Sequence, residues 1–266
     1  MYVSSVIVNR LFIHTAQLRG FSKSLLLILG FALFANLLTG CSGGVKKAQA
    51  ADYNAELGIR YLQKGRLQLA NEKLTKSIEQ NPNSVKSNHY YALLQEKLGN
   101  HKKAAYHFSK AIRLDPKNPE LRNNYGSFLC KNNQPQAAVK QFLIAVKDPL
   151  YSTPAYAYTN AGICLRKANN HAQAEKYLRK ALQIKPNFPS ALLEMAKIYK
   201  ARRNYAKAQA FMLRYESVGK STPEALKLCT DINIKMGDIA KASACRSALL
   251  RLFPASKEAE QINQSL

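Results

Sequence analysis

The side chains best suited to chemistry in this chain are five cysteines and five histidines. The histidines, at positions 14, 89, 101, 107 and 171, are dispersed, and neither residue type shows the paired spacing typical of a metal site. The sequence also contains no serine-hydrolase, zinc-protease, P-loop or glycine-rich dinucleotide motif. The sequence therefore predicts a binding protein and not an enzyme, with no metal and no cofactor. The chemistry left to explain is that of the thiols.

Cys41 follows a segment typical of bacterial signal peptides. Three basic residues and no acidic residue precede the apolar run at 25–38, which is too short to anchor a chain across a bilayer. The sequence Leu38-Thr39-Gly40-Cys41 then resembles the lipobox, in which small residues precede a cysteine that becomes acylated. This resemblance implies a signal peptide over 1–40 and lipidation of Cys41. Ser42 stands where aspartate would signal inner-membrane retention, so the resemblance implies an outer-membrane lipoprotein facing the periplasm. A buried helix or a short anchor is the alternative.

The rest of the chain is built on an internal repeat. Alanines recur at one constant interval at 70, 104 and 138, and again at 174, 208 and 242. The step from Ala138 to Ala174 is two residues longer, which indicates an insertion near Leu150 to Pro154. This period of about 34 residues, together with its pattern of small and large residues, resembles the tetratricopeptide repeat. Glycine or asparagine at 65, 99, 133, 169 and 237 would end the first helix of a repeat in a left-handed conformation.

The period predicts an all-α fold, an α-solenoid of about six helix-turn-helix repeats in a right-handed superhelix. The first and second helix of each repeat are called helix A and helix B below. Residues 41–50 are predicted to form the lipidated cysteine and a flexible tether, and residues 257–266 a tail that extends the last helix. The predicted repeats are 51–84, 85–118, 119–154, 155–188, 189–222 and 223–256.

The charge of the chain is strongly basic. Forty lysines and arginines face 16 acidic residues, for a net charge of +24, and removal of residues 1–40 leaves +21. Such a balance is typical of proteins that meet nucleic acid, an anionic membrane or an acidic protein. The lipobox argues against a cytosolic nucleic-acid role, so no specific nucleic acid is expected as a partner.

Four cysteines remain after Cys41. Cys130 and Cys164 fall near the middle of the A helices of adjacent repeats, whereas Cys229 and Cys245 fall on the two helices of the sixth repeat. A periplasmic location permits disulfides, and the repeat register favours these two local pairings among the three that four cysteines allow. Four buried, reduced cysteines acting as small apolar residues are the alternative.

The repeat register also predicts a partner-binding groove. In tetratricopeptide proteins the A helices line the concave face, and here their outward positions mix apolar and basic residues. Such a surface suits an extended peptide, strand or helix with apolar anchors and acidic flanks. A merely solvated helix face is the alternative for the individual basic residues. The positions are Ile59, Leu62, Gln63, His89, Leu93, Glu96, Lys97, Asn123, Ser127, Lys131, Tyr156, Thr159, Ile163, Arg166, Lys167, Leu193, Lys197 and Lys200.

A more specific resemblance lies in the third repeat. The segment Asn123-Asn124-Tyr125-Gly126-Ser127-Phe128-Leu129-Cys130 resembles the N-N-Y-G-x-F-L-C segment of the PilW/PilF type IV pilus biogenesis lipoproteins, and residues 158–164 are similar to that family's next repeat. Membership implies a pilotin, which binds outer-membrane secretin subunits of the PilQ type and promotes their assembly. It also implies contact with outer-membrane lipid through the acylated cysteine. A monomer is expected. The alternatives are a scaffold lipoprotein of another envelope complex and a DNA-binding protein of DNA uptake.

Overall fold

The computed structural model describes residues 44–264, and this part of the chain is entirely helical apart from its turns. Helix α1 covers residues 44–63. The helices that follow are α2 Leu67–Gln80, α3 Val85–Lys97, α4 His101–Leu114, α5 Pro119–Lys131, α6 Pro135–Ala145, α7 Pro154–Lys167, α8 His171–Ile184, α9 Pro189–Ala201, α10 Tyr205–Glu216, α11 Pro223–Met236, α12 Ile239–Leu252 and α13 Lys257–Asn263. The predicted all-α solenoid is confirmed. None of the helices within 44–264 is long and apolar enough to cross a membrane.

The chain divides into two compact units, and the division falls inside α4. The first unit ends at His107 and the second begins at Phe108. The first contains α1 to α3 with the start of α4, and its core includes Ala70, Leu74 and Leu94. The second contains the end of α4 and α5 to α13, and its largest core cluster runs from α7 to α12.

The second unit is a stack of antiparallel helix pairs. The odd-numbered helices α5, α7, α9 and α11 are A helices, and each approaches the next A helix directly. No two B helices approach each other in this way within residues 108–264. The disulfide between Cys130 and Cys164, whose Cα atoms are 5.7 Å apart, brings the carboxyl ends of α5 and α7 side by side. The A helices therefore run parallel and in register, and all the A-to-B turns fall on one edge of this unit.

The helix ends follow from local residue chemistry. Helices α5, α6, α7, α9 and α11 each have proline in the first turn, where the missing N–H costs no helical hydrogen bond. The predicted left-handed residues are confirmed, with positive φ at glycine or asparagine in five A-to-B turns. The remaining such turn has Arg203 at φ 57°. Glycine adopts this conformation freely, and asparagine tolerates it because its short polar side chain can bond to the nearby backbone. A long side chain such as that of Arg203 pays about 1 kcal/mol or more, so this turn accepts a larger cost than the other five.

Small residues allow the paired helices to approach closely. In the fourth repeat a Cβ on Gly162 would lie 2.5 Å from Leu178 Cγ and 3.2 Å from the backbone oxygen of Ala174. No side chain can replace the hydrogen of Gly162 unless α7 and α8 move apart. The alanine at each repeat's B helix, such as Ala174, is buried. The alanines therefore recur with the repeat period because each one lies where two paired helices pack closely.

Two predictions about the ends of the solenoid are wrong. Residues 44–50, predicted as part of a flexible tether, are helical and continuous with the first A helix. The tail does not extend α12, because the chain turns at Phe253–Ser256 and Ser256 caps a separate helix, α13. Ala259 and Ile262 of α13 pack against Leu249 and cover the end of the core. The predicted signal peptide and Cys41 lie outside the described residues.

Candidate functional site

The candidate site is the surface of the second unit formed by α5, α7, α9 and α11, which we call the A-face. Because A helices approach one another and B helices within 108–264 do not, this unit is narrower on its A side, and a partner can reach several repeats at once. Two of the cavities along the A-face bear on the predicted groove. One is at the amino ends of α5 and α7, and the other lies among α9, α11 and α13.

The motif of the third repeat separates into a packing half and a surface half. Gly126 lies against Phe142, where an added Cβ would be 2.7 Å from Cε1 of that ring. Phe128 is buried, with its ring 5.2 Å from that of Phe108, and Cys130 is bonded to Cys164. Asn123 and Asn124 remain half-exposed and line the first cavity.

This first cavity, the insertion pocket, has a volume of about 590 Å³. Its walls come from the start of α5, the start of α7 and the loop that carries the two-residue insertion. Asn160 of α7 donates a hydrogen bond from Nδ2 to Oδ1 of Asn123 over 3.1 Å, which fixes both amides at the pocket floor. At the rim, Leu150 is 90% exposed and Tyr156 is 49% exposed. The pocket thus combines fixed amide groups with two apolar side chains that contact solvent.

The loop around the insertion is ordered by its own contacts. The Leu150 amide donates to Asp148 Oδ1 over 2.8 Å, and the Tyr151 amide donates to the Asp148 carbonyl over 3.2 Å. Tyr151 is only 9% exposed, and burial raises the pKa of its hydroxyl. Leu150 is therefore exposed while its neighbour Tyr151 is buried. The loop that carries the insertion therefore presents one exposed leucine at a defined place.

The second cavity, the charged pocket, has a volume of about 500 Å³ and lies among α9, α11 and α13. Lys197 contacts Glu194 at 2.5 Å and Glu224 at 2.6 Å. Asp231 accepts from both Lys200, at 2.5 Å, and Lys227, at 3.0 Å. Every lysine of this pocket therefore contacts a carboxylate.

The predicted basic cluster of the groove is consequently not a free positive surface. Arg166, Lys197 and Lys200, which the sequence placed in the groove, contact carboxylates of α9 and α11. Glu194, which Arg166 contacts through its Nε, has a side chain only 8% exposed. A partner with acidic flanks would compete with these internal carboxylates for Arg166, Lys197 and Lys200. The expectation of an acidic ligand stays a prediction.

Other predicted groove residues are distributed differently from expectation. His89, Thr159 and Leu193 are buried, so they do not contact solvent in the groove. Ser127 donates its hydroxyl to the Asn123 carbonyl of its own helix. The structure leaves Ile163 half-buried, whereas Lys131 and Lys167 are exposed at the carboxyl ends of α5 and α7. The structure thus brings Asn123 and Tyr156 together in one pocket and Lys197 and Lys200 together in the other.

The predicted groove residues of the first unit include Ile59, Leu62 and Leu93, and all three are half-buried. Leu62 packs against the core cluster of Ala70, Leu74 and Leu94. Nearby polar groups are also internal: Ser77 Oγ lies 2.6 Å from Ser87 Oγ, and His107 Nδ1 lies 2.9 Å from Asn88 Oδ1. Burial lowers the pKa of His89 to about 4, so this imidazole is neutral at pH 7.

Both cysteine pairs favoured by the repeat register are bonded in the structure. The bond between Cys130 and Cys164 joins the A helices of two successive repeats, and the bond between Cys229 and Cys245 joins the two helices of one repeat. The first bond closes a sequence separation of 34 residues and the second one of 16. The disulfides therefore fasten the second unit both across a repeat junction and within a repeat.

The carboxylate of Glu175 joins the B helix α8 to the following A helix and its turn. Glu175 of α8 accepts from Tyr199 Oη at 2.6 Å, from Arg179 NH2 at 2.7 Å and from Arg202 NH1 at 2.5 Å. Burial opposes ionisation of Glu175, but these hydrogen bonds outweigh it and lower the pKa of Glu175 to about 2. This cluster ties α8 to α9 and lies away from both A-face cavities.

Sequence reasoning missed the acidic partners and part of the insertion pocket. Glu194 and Asp231 were not singled out, although Glu194 lies three residues before Lys197 and Asp231 lies four residues after Lys227, spacings that bring side chains together on a helix. The pocket rim could have been predicted only from the two-residue insertion, which lies near Leu150. Asn160 lies in the segment 158–164, which the sequence comparison singled out, but it was not assigned to the site.

Models of the tetratricopeptide repeat match residues 55–119, 107–140, 129–190 and 165–232. These matches cover most of the described helices, and they define the class of protein: the chain is built from tetratricopeptide repeats. The stacked A and B helices described above are the structural form of that repeat.

Within this class, three comparisons are informative. The type IV pilus assembly protein PilF of Pseudomonas aeruginosa is 29% identical over 238 residues, covering 86% of this chain and 94% of that protein. A crystal structure of PilW, a widely conserved type IV pilus biogenesis factor, superimposes with a TM-score of 0.74 at 28% identity, covering 80% of this chain and 98% of PilW. The structure of P. aeruginosa PilF gives a TM-score of 0.71 at 28% identity, covering 83% and 100%. The chain belongs to the PilW/PilF family of tetratricopeptide proteins.

Proposed function

We propose that this chain is an outer-membrane lipoprotein that binds secretin subunits through its A-face and promotes their assembly during type IV pilus biogenesis. The observation that carries the proposal is the division of the third-repeat motif. Its core residues pack the solenoid, whereas Asn123 and Asn124 line the insertion pocket. The homology to PilF and PilW supports a role in pilus biogenesis.

The insertion pocket favours an extended segment of polypeptide as its ligand. Each asparagine amide offers both donors and acceptors, which matches the alternating N–H and C=O groups of a peptide backbone. Leu150 and Tyr156 supply the apolar contacts at the rim. We therefore expect a secretin segment with one or two apolar anchors and no requirement for acidic flanks.

The acyl group would localise the protein to the outer membrane, and the solenoid would supply the binding surface. An acylated Cys41 at the head of the mature chain would hold the A-face near the periplasmic leaflet, where each buried CH₂ of an acyl chain contributes about 0.8 kcal/mol. The role proposed is one of binding and escort, with no catalytic step.

The proposal is tested in a deletion strain complemented with four versions of the full chain. These are the wild type, Cys41→Ser, the double variant Leu150→Ser/Tyr156→Ala, and Leu213→Ala. Leu213 is the matched control, because it is a large exposed apolar residue of the B helix α10. The measurements are membrane fractionation, surface pili and SDS-resistant secretin multimers.

We expect the wild type and Leu213→Ala to restore multimers and pili. Cys41→Ser should leave the protein outside the outer-membrane fraction with few multimers, and the pocket variant should fractionate normally but bind secretin weakly. Normal multimers with Cys41→Ser would refute the escort role. Recovery of another envelope complex and no secretin in a pull-down would instead identify a scaffold of that complex.

A further inference from the structure

The A-to-B turns form one edge of the second unit, because the A helices lie parallel and in register. We call this edge, made of the last two residues of each A helix, the turn and the first four residues of the next B helix, the basic edge. It contains nine basic residues and a single acidic one, Asp238. The opposite edge, defined in the same way from the B-to-A turns, contains eight basic and seven acidic residues. Positive charge is therefore concentrated on one edge.

Part of this charge is neutralised by neighbouring carboxylates and part is not. Arg166, Lys200, Arg202 and Lys241 contact carboxylates of neighbouring helices. Three other basic residues of the edge, Lys167, Arg203 and Lys235, are exposed. Within residues 44–264, no carboxylate lies at ion-pair distance from any of these three.

Arg203 shows that a basic residue is kept on this edge against backbone preference. It has a φ of 57°, whereas every other A-to-B turn of the described residues places glycine or asparagine at the left-handed position. A glycine would relieve the strain, and it would also remove a charge from the edge. Strained residues of this kind persist where the surrounding structure or a function requires them.

Apolar side chains on the basic edge and directly beside it are exposed to solvent. At the turn between α11 and α12, Ile234 is 52% exposed, Met236 is 42% exposed and Ile239 is 66% exposed. Lys235 stands among them. Aliphatic side chains beside lysine suit the interfacial region of a bilayer, where the apolar group enters the acyl boundary and the ammonium group meets phosphate.

We propose that the basic edge of the second unit binds an anionic lipid surface, with the basic residues against headgroup phosphates and the α11–α12 turn in the interface. Charge complementarity favours a polyanionic surface, and the exposed aliphatic turn favours a membrane over nucleic acid. The inference rests on the geometry of this unit and not on secretin binding, so either can fail without the other.

The test uses the chain from residue 41 onward with Cys41→Ser, which keeps every described helix and carries no acyl group. Binding to phosphatidylcholine vesicles, with and without phosphatidylglycerol, is measured by co-sedimentation at low and high salt. Each basic residue near an anionic leaflet contributes about fivefold in affinity, equivalent to about 1 kcal/mol. The triple variant Lys167→Gln/Arg203→Gln/Lys235→Gln should therefore lose about 100-fold.

The matched control is Lys147→Gln/Lys185→Gln/Lys220→Gln, which removes the same charge from exposed positions on the opposite edge. We expect this control to bind within a few-fold of the wild type. Equal losses in the two triple variants would overturn the proposal, as would wild-type binding to vesicles that does not depend on phosphatidylglycerol.

Two further variants separate the sources of binding. Ile234→Ser/Ile239→Ser should weaken binding to anionic vesicles while leaving binding to a short DNA duplex unchanged. If it weakens neither, and DNA binds more tightly than vesicles at the same salt, the edge binds nucleic acid and the membrane proposal is wrong. Arg203→Gly should melt at a higher temperature than the wild type yet bind vesicles about fivefold more weakly. Undiminished binding by this stabilised variant would count against Arg203 as a lipid contact.

Discussion

The disulfide between successive repeats allows a quantitative prediction. Replacing Cys130 and Cys164 with alanine removes a cross-link that spans 34 residues, and the loss of loop-closure constraint predicts a destabilisation of about 4 kcal/mol. For a unit of this size, that loss corresponds to a fall in Tm of about 8 to 15 °C. The same treatment of the Cys229–Cys245 bond, which spans 16 residues, predicts about 3 kcal/mol. The measurement is thermal unfolding of oxidised protein followed by circular dichroism.

The design separates the cross-link from the side chains. Wild-type protein melted with reductant should fall to the level of the variant that lacks both bonds, Cys130→Ala/Cys164→Ala/Cys229→Ala/Cys245→Ala, and that variant should not respond to reductant. A thiol count on the unfolded, oxidised protein should find neither pair free. If reductant leaves the wild-type Tm unchanged, the bonds do not constrain the folded protein. If the shorter loop contributes more than the longer one, the chain-entropy reasoning is wrong.

Three further predictions concern single sites. Gly162→Ala should destabilise the protein by about 1–3 kcal/mol in urea unfolding, because its Cβ would meet Leu178, and adding Leu178→Ala should not deepen the loss by the full cost of a new cavity. Glu175 has a folded pKa of about 2 against 4.5, a lowered value, so its contribution is complete above pH 4.5 and disappears as pH falls toward 2. Melting curves of wild type and Glu175→Gln should therefore converge over that window, and a constant difference would contradict the reasoning. His89 has a folded pKa of about 4 against 6.5, also lowered, so stability should fall as pH drops from 6.5 to 4, and His89→Gln should flatten this fall.

The repeat period predicted most of the fold because it is a consequence of packing. Ala70, Ala104 and Ala138 recur at a constant interval since each is fully buried where two helices meet, and no other constraint is needed to place them. The glycine and asparagine turns followed for the same local reason. The separate helix α13 was not predicted, because its formation depends on Ala259 and Ile262 finding the exposed end of the core. That is a tertiary effect that no local pattern contains.

The electrostatics of the A-face were predicted less well. From the sequence alone, a lysine at an outward position of an A helix is predicted to be an unpaired, solvent-exposed charge. Whether it stays free depends on side chains of the next repeat. Lys200 contacts Asp231 in this way, and Arg166 contacts Glu194. Contacts between repeats can be predicted only when the register between their helices is known, so the sequence indicated the basic residues without their acidic partners.

The two-residue insertion before α7 has a consequence for how a partner finds its place. An array of similar repeats offers nearly the same surface at each repeat. An extended ligand shifted by one repeat would therefore lose little binding free energy. The insertion breaks this equivalence at one junction, since the exposed Leu150 and the amide pair of Asn123 and Asn160 occur together only there within the described residues. A ligand that contacts all three has a single alignment along the solenoid. The irregular junction thus fixes the register in which an extended ligand binds along the repeats.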